Sequence, residues 1–387
     1  MGTKSKSEYL RAIRPRYKAA SKPEKAKILD EFCNTCQYNR KYAIRILNSN
    51  KSVNSSENLS RRGRKKIYQE ELIETVLTDI WQATNLPCSK RLKAILPLWL
   101  PFYVKQPLSD QIIKKLHNIS PATIDRIMAK DRAKFGKLGL STTKPGSLLK
   151  KHIPVKTGQW NENRPGYLEV DTVAHCGTSM AGMFVFTLNS VDIASGWTEQ
   201  RACWGKGEKG VVEMVKSIEE NIPFNLSGFD CDNGSEFLNW HLLKYLTNRK
   251  RPVDFSRSRP YKKNDNAHVE NKNWTHIRQY LGYQRFDNKE LVDMMNDLYQ
   301  NEWNLYFNFF IPSVKLISKQ RVGSKTIKVY DKPKTPAQRL IQSEFINEQI
   351  KQKLVETCLT LNPFQLQNKM KLKIRNIIKI VNQHNIF

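Results

Sequence analysis

Between residues 167 and 283 the spacing of apolar residues alternates between the period of a strand and the period of a helix. Five short segments have strand composition: YLEVDTV, MFVFTLNSVD, WTEQRACW, LSGFDCD and PVDFS. Helical spacing appears in KGEKGVVEMVKSIEENI, in SEFLNWHLLKYL and over 267–283. The resulting order, β-β-β-α-β-α-β-α, predicts an α/β fold with a mixed five-stranded sheet and helices on both faces.

Residues 1–60 predict a small helical region. SKPEKAKILDEF begins with a capping box in which Glu24 follows Ser21 by three residues, and NRKYAIRIL is a second, basic helix. Two short helices with a tight turn suit a helix-turn-helix that binds DNA, and they suit an ordinary helical hairpin equally well. The polar, basic stretch 50–66 reads as a linker.

Residues 61–140 predict a second helical DNA-binding region. In LSDQIIKKLHNISPATIDRIM, Ser120 is placed to cap a helix and Pro121 to occupy its first position. The pattern favours a helix-turn-helix, with Thr123 and Arg126 as contacts to bases or phosphates. We expect the α/β core at 141–285 and a helical, basic extension at 286–387.

The charge balance indicates a polyanionic partner. Lys and Arg number 65 against 36 acids, which gives a formal net charge of +29. Such an excess is typical of proteins that bind nucleic acid. The most apolar run, AILPLWLPFYV, contains two prolines and is too short to span a bilayer, so no membrane partner is expected.

The N-terminus and the cysteines predict a cytoplasmic protein, associated with the nucleoid when it is bound to DNA. Residues 1–20 are rich in Lys and Arg and lack the apolar segment of a secretory signal. Seven scattered cysteines, an odd number, argue against a disulfide framework. Cys33 and Cys36 form a CxxC without the second pair that a zinc site requires.

Three acids occupy related positions in the predicted elements. Asp171 lies in the first strand, Asp232 ends the fourth strand, and Glu270 begins the last helix. If the first and fourth strands are neighbours, these carboxylates meet at one edge of the sheet. Converging carboxylates repel one another unless cations offset their charge, and carboxylate oxygens favour Mg²⁺ or Mn²⁺. We therefore expect two divalent ions, which would assist an in-line phosphoryl displacement.

The segment SRSRPYKKNDNAHVENKNW places a basic loop directly before Glu270. Arg257, Arg259, Lys262 and Lys263 would hold a DNA strand by its phosphates. The alternative is a solvated loop followed by an acid that favours the helix dipole.

Three further residues have two readings each. Asp230 rivals Asp232, because a period of two places both on the same face of the strand. Asn233 belongs to a tight turn or orients a water near the metals. His268 contacts DNA or assists proton transfer.

The segments VDTVAHCG, DCDNGSEF and RSRPYKKNDNAHVEN resemble the catalytic segments of insertion-sequence DDE transposases with an integrase core, and they are similar also to retroviral integrases. The resemblance runs from about residue 145 to about residue 342. It implies an RNase H-like fold and assigns the catalytic, metal-binding triad to Asp171, Asp232 and Glu270. It further implies a magnesium-dependent polynucleotidyl transferase that cuts element ends, joins the freed 3′-hydroxyl to target DNA and acts as a homo-oligomer on paired terminal repeats.

The chain departs from the retroviral pattern in two places. Retroviral integrases carry lysines one and two turns after the glutamate, where this chain has Trp274 and Ile277. Lys272, Arg278 or the basic loop alone would then hold the DNA. The paired His and Cys zinc module is absent from the sequence, so the helix-turn-helix candidates would recognise the DNA ends.

Three other functions are compatible with parts of the sequence. An inactivated transposase would only bind DNA, and an RNase H-like nuclease would cut without joining. An RNA-binding or chromosome-associated structural protein is supported by charge alone.

Overall fold

The computed structural model describes residues 2–49, 67–68, 70–135, 162–205, 207–231, 236–237, 239–257 and 267–384. The chain divides into two compact units, Met1–Ile67 and Tyr68–Phe387. Among the described residues no helix is both long enough and apolar enough to cross a membrane.

The first unit contains three helices, α1 (Thr3–Ala19), α2 (Lys22–Cys36) and α3 (Arg40–Asn48). The predicted capping box is confirmed, because the Ser21 N–H donates to Glu24 Oε2 over 2.9 Å. Phe32 and Leu47 lie in a fully buried core between the helices. A helix-turn-helix function for this unit stays a prediction.

The second unit opens with five helices: α4 (Glu71–Ala83), α5 (Ser89–Trp99), α6 (Asp110–Asn118), α7 (Pro121–Ile127) and α8 (Ala129–Phe135). As predicted, Ser120 caps α7, its hydroxyl accepting from the Thr123 N–H over 3.2 Å. The helices share one hydrophobic core with the rest of the unit. Trp99, for example, packs edge-on against Tyr306.

The sheet has the predicted five strands: β1 (Tyr167–Ala174), β2 (Val185–Asp192), β3 (Thr198–Trp204), β4 (Gly228–Cys231) and β5 (Asp254–Arg257). Their order is β3-β2-β1-β4-β5. The first three strands are antiparallel, and β4 and β5 run parallel to β1. This is the RNase H-like arrangement, so the predicted fold class is confirmed.

Helices cover both faces of the sheet. On one face, Val215 and Ile218 of α9 (Glu208–Asn221) lie beside Leu168 and Val170 of β1. On the other face lies a continuous helix made of α11 (Ala267–Lys272), a π-helical segment (Asn273–Arg278) and α12 (Gln279–Leu281).

Helix α10 (Trp240–Thr247) begins later than SEFLNWHLLKYL predicts. The side chain of Asn239 caps it by accepting from the Leu242 N–H over 2.9 Å. Glu236 lies in a turn before the helix, where its carboxylate accepts from the Thr172 hydroxyl over 3.2 Å. Asn239 and Glu236, which the sequence predicts to lie within the helix, therefore precede it.

The remaining elements follow the sheet in the chain: α13 (Glu290–Leu298), a π-helical segment (Tyr299–Trp303), α14 (Asn304–Phe310), β6 (Leu316–Val322), β7 (Lys325–Tyr330), α15 (Pro336–Gln342), α16 (Glu348–Thr360) and α17 (Pro363–His384). Strands β6 and β7 form a separate two-stranded sheet. The predicted long aromatic helix corresponds to Glu290–Phe310.

Two asparagines close the outer edge of strand β3. Asn308 accepts from the Thr198 N–H over 2.9 Å and donates to the Thr198 carbonyl over 2.8 Å. Asn296 forms the same pair with Ala202, over 2.8 and 2.9 Å. Each side-chain amide thus takes the place of a neighbouring strand.

Candidate active site

Asp171 lies on the sheet face that carries α11, in the part of β1 that pairs with β2. One of its carboxylate oxygens accepts from the Thr172 N–H over 2.7 Å. The other accepts from the side-chain amide of Asn273, also over 2.7 Å. Asn273 follows Glu270 by three residues, so it lies on the same side of the helix as Glu270. Asn273 therefore links the first acid of the predicted triad to the helix that carries the third.

A chain of three amides ends at the Asp171 carboxylate. Gln200 donates to Asn189 over 2.8 Å, Asn189 donates to Asn273 over 2.7 Å, and Asn273 donates to Asp171. Asp171, Asn189 and Gln200 are cross-strand neighbours on β1, β2 and β3. An ionised carboxylate only accepts, so it sets the direction of every amide in the chain. The network consequently favours one orientation of Asp171.

The N-terminus of α11 is attached to the sheet by Glu169, two residues before Asp171. Glu169 Oε2 accepts from the backbone N–H groups of His268 and Val269, over 3.0 and 3.1 Å. These donors immediately precede Glu270, which is solvent-exposed. A side chain from β1 therefore caps this helix and fixes the backbone next to Glu270.

Glu169 and Asp230 are buried acids that face each other across β1 and β4. Asp230 accepts from the Ser256 hydroxyl over 2.7 Å. The pKa of Glu169 is raised to about 8, mainly by burial; the charges of Asp230 and Glu270 act in the same direction, and its two backbone hydrogen bonds act against it. Two buried carboxyl groups thus lie side by side on the inner strands β1 and β4, next to the start of α11. Asp230, which the sequence offers as an alternative to Asp232, is 2% exposed.

His268 lies beside this cluster, with its Nε2 4.0 Å from Glu169 Oε1. Its partial burial lowers its pKa, and so do the charges of Lys315 and Lys272. The imidazole is therefore held towards its neutral form. The predicted roles of His268 in DNA contact or proton transfer stay predictions.

Asp232, Asn233, Arg259, Lys262 and Lys263 lie outside the described residues. The described register between β1 and β4 ends with Val170 opposite Cys231, and Asp171 and Asp232 are the next residues of the two segments in the sequence. Arg257 ends β5 and is exposed.

Two residues predicted to replace the retroviral lysines are engaged within the fold. Lys272 Nζ lies 3.2 Å from His276 Nε2, and burial lowers the pKa of Lys272 to about 7, as do the charges of Arg91 and Arg339. Arg278 donates to the Ala174 carbonyl over 2.8 Å. Contact of Lys272 with DNA stays a prediction, as does contact of Arg126, which is exposed on α7.

Sequence reasoning missed four polar residues that support Asp171 and Glu270. Glu169 has a signal in the sequence, since it precedes Asp171 by the period of a strand, and Asn273 has one in its spacing from Glu270. Asn189 and Gln200 have none, because only the pairing of the strands places them beside Asn273.

The chemistry of these donors fits a divalent metal ion. Asp171 and Glu270 present carboxylate oxygens, the preferred donors for Mg²⁺ and Mn²⁺. Within the described ranges no cluster of three or more Asp, Glu, His or Cys side chains is close enough to hold a metal on its own.

The strand order, with acids on the inner strands β1 and β4, defines an RNase H-like α/β protein. No protein-family model matches the chain. The uncharacterized protein y4rM of Sinorhizobium fredii (strain NBRC 101917 / NGR234) is 37% identical to it over 344 residues, covering 87% of this chain and 95% of y4rM. The chain belongs to the same family as y4rM.

Two solved structures of integrase catalytic cores are similar to part of the chain. The core of BIV integrase is 14% identical and covers 30% of this chain and 68% of its own, with a TM-score of 0.23. The core of HTLV-2 integrase, solved as a dimer in complex with magnesium, is 17% identical and covers 39% of this chain and 91% of its own, with a TM-score of 0.28. Because these sequence identities and TM-scores are low, the fold assignment rests on the strand order of the sheet.

Proposed function

We propose that this protein is a DDE transposase, which cleaves DNA at the ends of a mobile element and joins the ends to target DNA. The observation that carries the proposal is the attachment of the Glu270 helix to the strand of Asp171. Asn273 bonds the Asp171 carboxylate, and Glu169 caps the helix. The net charge of +29 suits a DNA substrate.

In this proposal Asp171 and Glu270, with Asp232 as the third acid, hold two Mg²⁺ or Mn²⁺ ions. When bound, such ions activate a water or a 3′-hydroxyl and stabilise the charge that develops on the attacking and leaving oxygens. The protein contributes the orientation of the carboxylates. Asn273 holds Asp171 in one direction, and Glu169 fixes the backbone before Glu270.

Basic side chains would position the DNA. Arg257, at the end of β5, begins the basic stretch of the sequence that also includes Arg259, Lys262 and Lys263. These basic residues would bind the scissile DNA strand, with Lys272 as a further contact. Thr123 and Arg126 are assigned to the element ends. Asn233 and His268 would support a water or a proton near the site.

The proposed partners are the terminal repeats of the element, target DNA and further copies of this chain on paired ends. The proposed location is the cytoplasm, with the protein on the nucleoid when bound to DNA.

The test is a strand-transfer assay with labelled element-end DNA and Mg²⁺ or Mn²⁺, comparing wild type with Asp171→Asn. We expect joined products from the wild type and a loss of roughly 10²–10³-fold or more in the variant, since several kcal/mol of charge stabilisation disappear. Calorimetric titration with Mn²⁺ adds a readout without DNA, in which Asp171→Asn should lose affinity.

Asp293→Asn is the matched control, because Asp293 is an exposed carboxylate on α13. It should join DNA like the wild type. Metal-dependent nicks without joined products would favour a nuclease. DNA binding without chemistry in any protein would favour an inactivated transposase, and preference for RNA in competition would favour an RNA-binding protein.

A further inference from the structure

Strands β6 and β7 form a hairpin that is exposed along its length. Val322, Ile327 and Val329 are 59%, 52% and 48% exposed, although apolar side chains of a strand normally face a core. Gly323, with φ +60°, begins the two-residue turn between the strands. A lone two-stranded hairpin is marginally stable in water, so this one needs support at its base.

That support is a set of hydrogen bonds at the root of the hairpin. Asp331 accepts from the Lys315 N–H over 2.6 Å and from Arg339 of α15 over 2.7 Å. Arg339 also donates to the carbonyls of Ser313 and Lys334, over 2.9 and 2.8 Å. The hairpin is thus clamped at one end and projects from there as an arm about 20 Å long, at ~3.4 Å per residue.

The root of the arm lies near the candidate active site. Lys315 Nζ donates over 2.6 Å to the carbonyl of Ala194, in the turn between β2 and β3. Lys315 is also close enough to His268 to lower the pKa of that histidine. His268 precedes Glu270 by two residues. The root of the arm is therefore bonded to the β2–β3 turn and lies close to the start of α11.

The two faces of the arm differ in charge. Cross-strand pairs share a face, so Lys319 with Lys328 and Arg321 with Thr326 form a basic face. The opposite face carries Val322, Ile327 and Val329 with one basic residue, Lys325, and no acid occurs between residues 316 and 330. Like charges directly opposite each other destabilise a hairpin. The pairing of Lys319 with Lys328 therefore does not stabilise the hairpin, and the basic face is suited to an anionic ligand.

We propose that the β6–β7 hairpin is a DNA-binding arm whose basic face contacts the phosphates of duplex DNA. A two-stranded ribbon fits the major groove, which is about 12 Å wide. The proposal rests on the proposed function in that the same DNA would reach the active site. A second copy of this chain, docked on the apolar face, is the competing occupant.

The first test measures duplex binding by full-length protein with Lys319→Ala, Arg321→Ala and Lys328→Ala combined. We expect affinity to fall roughly tenfold or more, and the slope of log Kd against log salt to fall by about 0.9 for each phosphate that the variant no longer neutralises. The matched control combines Lys353→Ala, Lys369→Ala and Lys379→Ala, which remove the same charge from exposed positions on α16 and α17. The control should bind DNA much more tightly than the basic-face variant.

The second test identifies the face that contacts DNA. A photoreactive p-benzoylphenylalanine at Thr326, on the basic face, should crosslink to DNA, whereas the same residue at Gln320, on the apolar face, should not. Circular dichroism checks that each variant is folded.

Two outcomes would overturn the arm as a DNA contact. One is a basic-face variant that binds DNA no more weakly than its control. The other is crosslinking between protein copies from Gln320 without crosslinking to DNA from Thr326, which would assign the hairpin to self-association.

Strand transfer by the wild type, measured in parallel, separates this proposal from the function. If the wild type joins DNA but its DNA binding does not depend on the hairpin, only the proposal for the arm is wrong. If DNA binding depends on the hairpin but the wild type joins no DNA, the arm is supported and the transposase function is wrong.

Discussion

The orientation of Asp171 depends on residues that are far apart in the chain. Asn273 bonds it directly, and Asn189 and Gln200 direct the amide of Asn273. All three amides have their donors turned towards the carboxylate, so the network stabilises one state of Asp171. Residues that orient metal-binding carboxylates in this way commonly change activity or metal affinity 10–100-fold when they are mutated.

We therefore expect Asn273→Ala to lower the rate of strand transfer by about 10–100-fold while leaving DNA affinity unchanged. Asn271→Ala is the matched control, since Asn271 is an exposed asparagine of the same helix. Single-turnover kinetics with Mn²⁺ titration measures both the rate and the metal dependence. Equal rates and equal metal dependence for the two variants would show that Asn273 does not position Asp171.

At the scale of elements, β3 shows how an edge strand is closed by a helix. The helical stretch Glu290–Phe310 runs beside β3, and Asn296 and Asn308 bond both backbone groups of Ala202 and Thr198. Open strand edges promote pairing with other chains, so covering the edge protects the sheet from such pairing.

Asn308→Ala should lower the free energy of unfolding of the second unit by about 2–6 kcal/mol. It leaves the buried N–H and carbonyl of Thr198 without partners, and each unsatisfied group costs about 1–3 kcal/mol. Asn301→Ala, an exposed asparagine on the same stretch, should change stability by less than about 0.5 kcal/mol. Urea unfolding compares them, and equal midpoints would contradict the closure of β3 by Asn308.

At the scale of the whole molecule, buried histidines make stability depend on pH. His175 is fully buried, stacks on Phe286 and shares a 2.9 Å hydrogen bond with the Thr187 hydroxyl. Burial, with a smaller effect from the charge of Arg278, lowers its pKa from 6.5 to about 3. The unfolded chain therefore takes up a proton below about pH 6.5 that the folded chain takes up only near pH 3.

His175 thus contributes stability that is present above pH 6.5 and is lost as the pH falls towards 3, at about 1.4 kcal/mol per pH unit. His175→Phe keeps the stack and removes the titration, and Thr187 retains its bond to Tyr299. Between about pH 7 and about pH 5 we expect the wild type to lose about 2 kcal/mol more than His175→Phe. Urea unfolding at both pH values measures this difference, and parallel losses would contradict it.

The sequence alone determined the order and type of the elements in the sheet. Strand and helix periods depend on contacts within a few residues, so the five strands, α9 and the long aromatic helix could be predicted from local pattern. The same holds for the caps at Ser21 and Ser120. The acids Asp171 and Glu270 were assigned from contiguous motifs of the sequence, and their catalytic role stays a prediction.

Tertiary structure alone decided which distant groups meet. Glu169 caps α11 from β1, and Asn189 and Gln200 support Asp171 across three strands, because strand register brings together residues that no local period relates. The exposure of both faces of the β6–β7 hairpin likewise could not be predicted from its sequence, because its alternating residues would suit a strand packed on a core. Burial and long-range pairing are properties of the folded chain, and they determine which polar residues surround the candidate site.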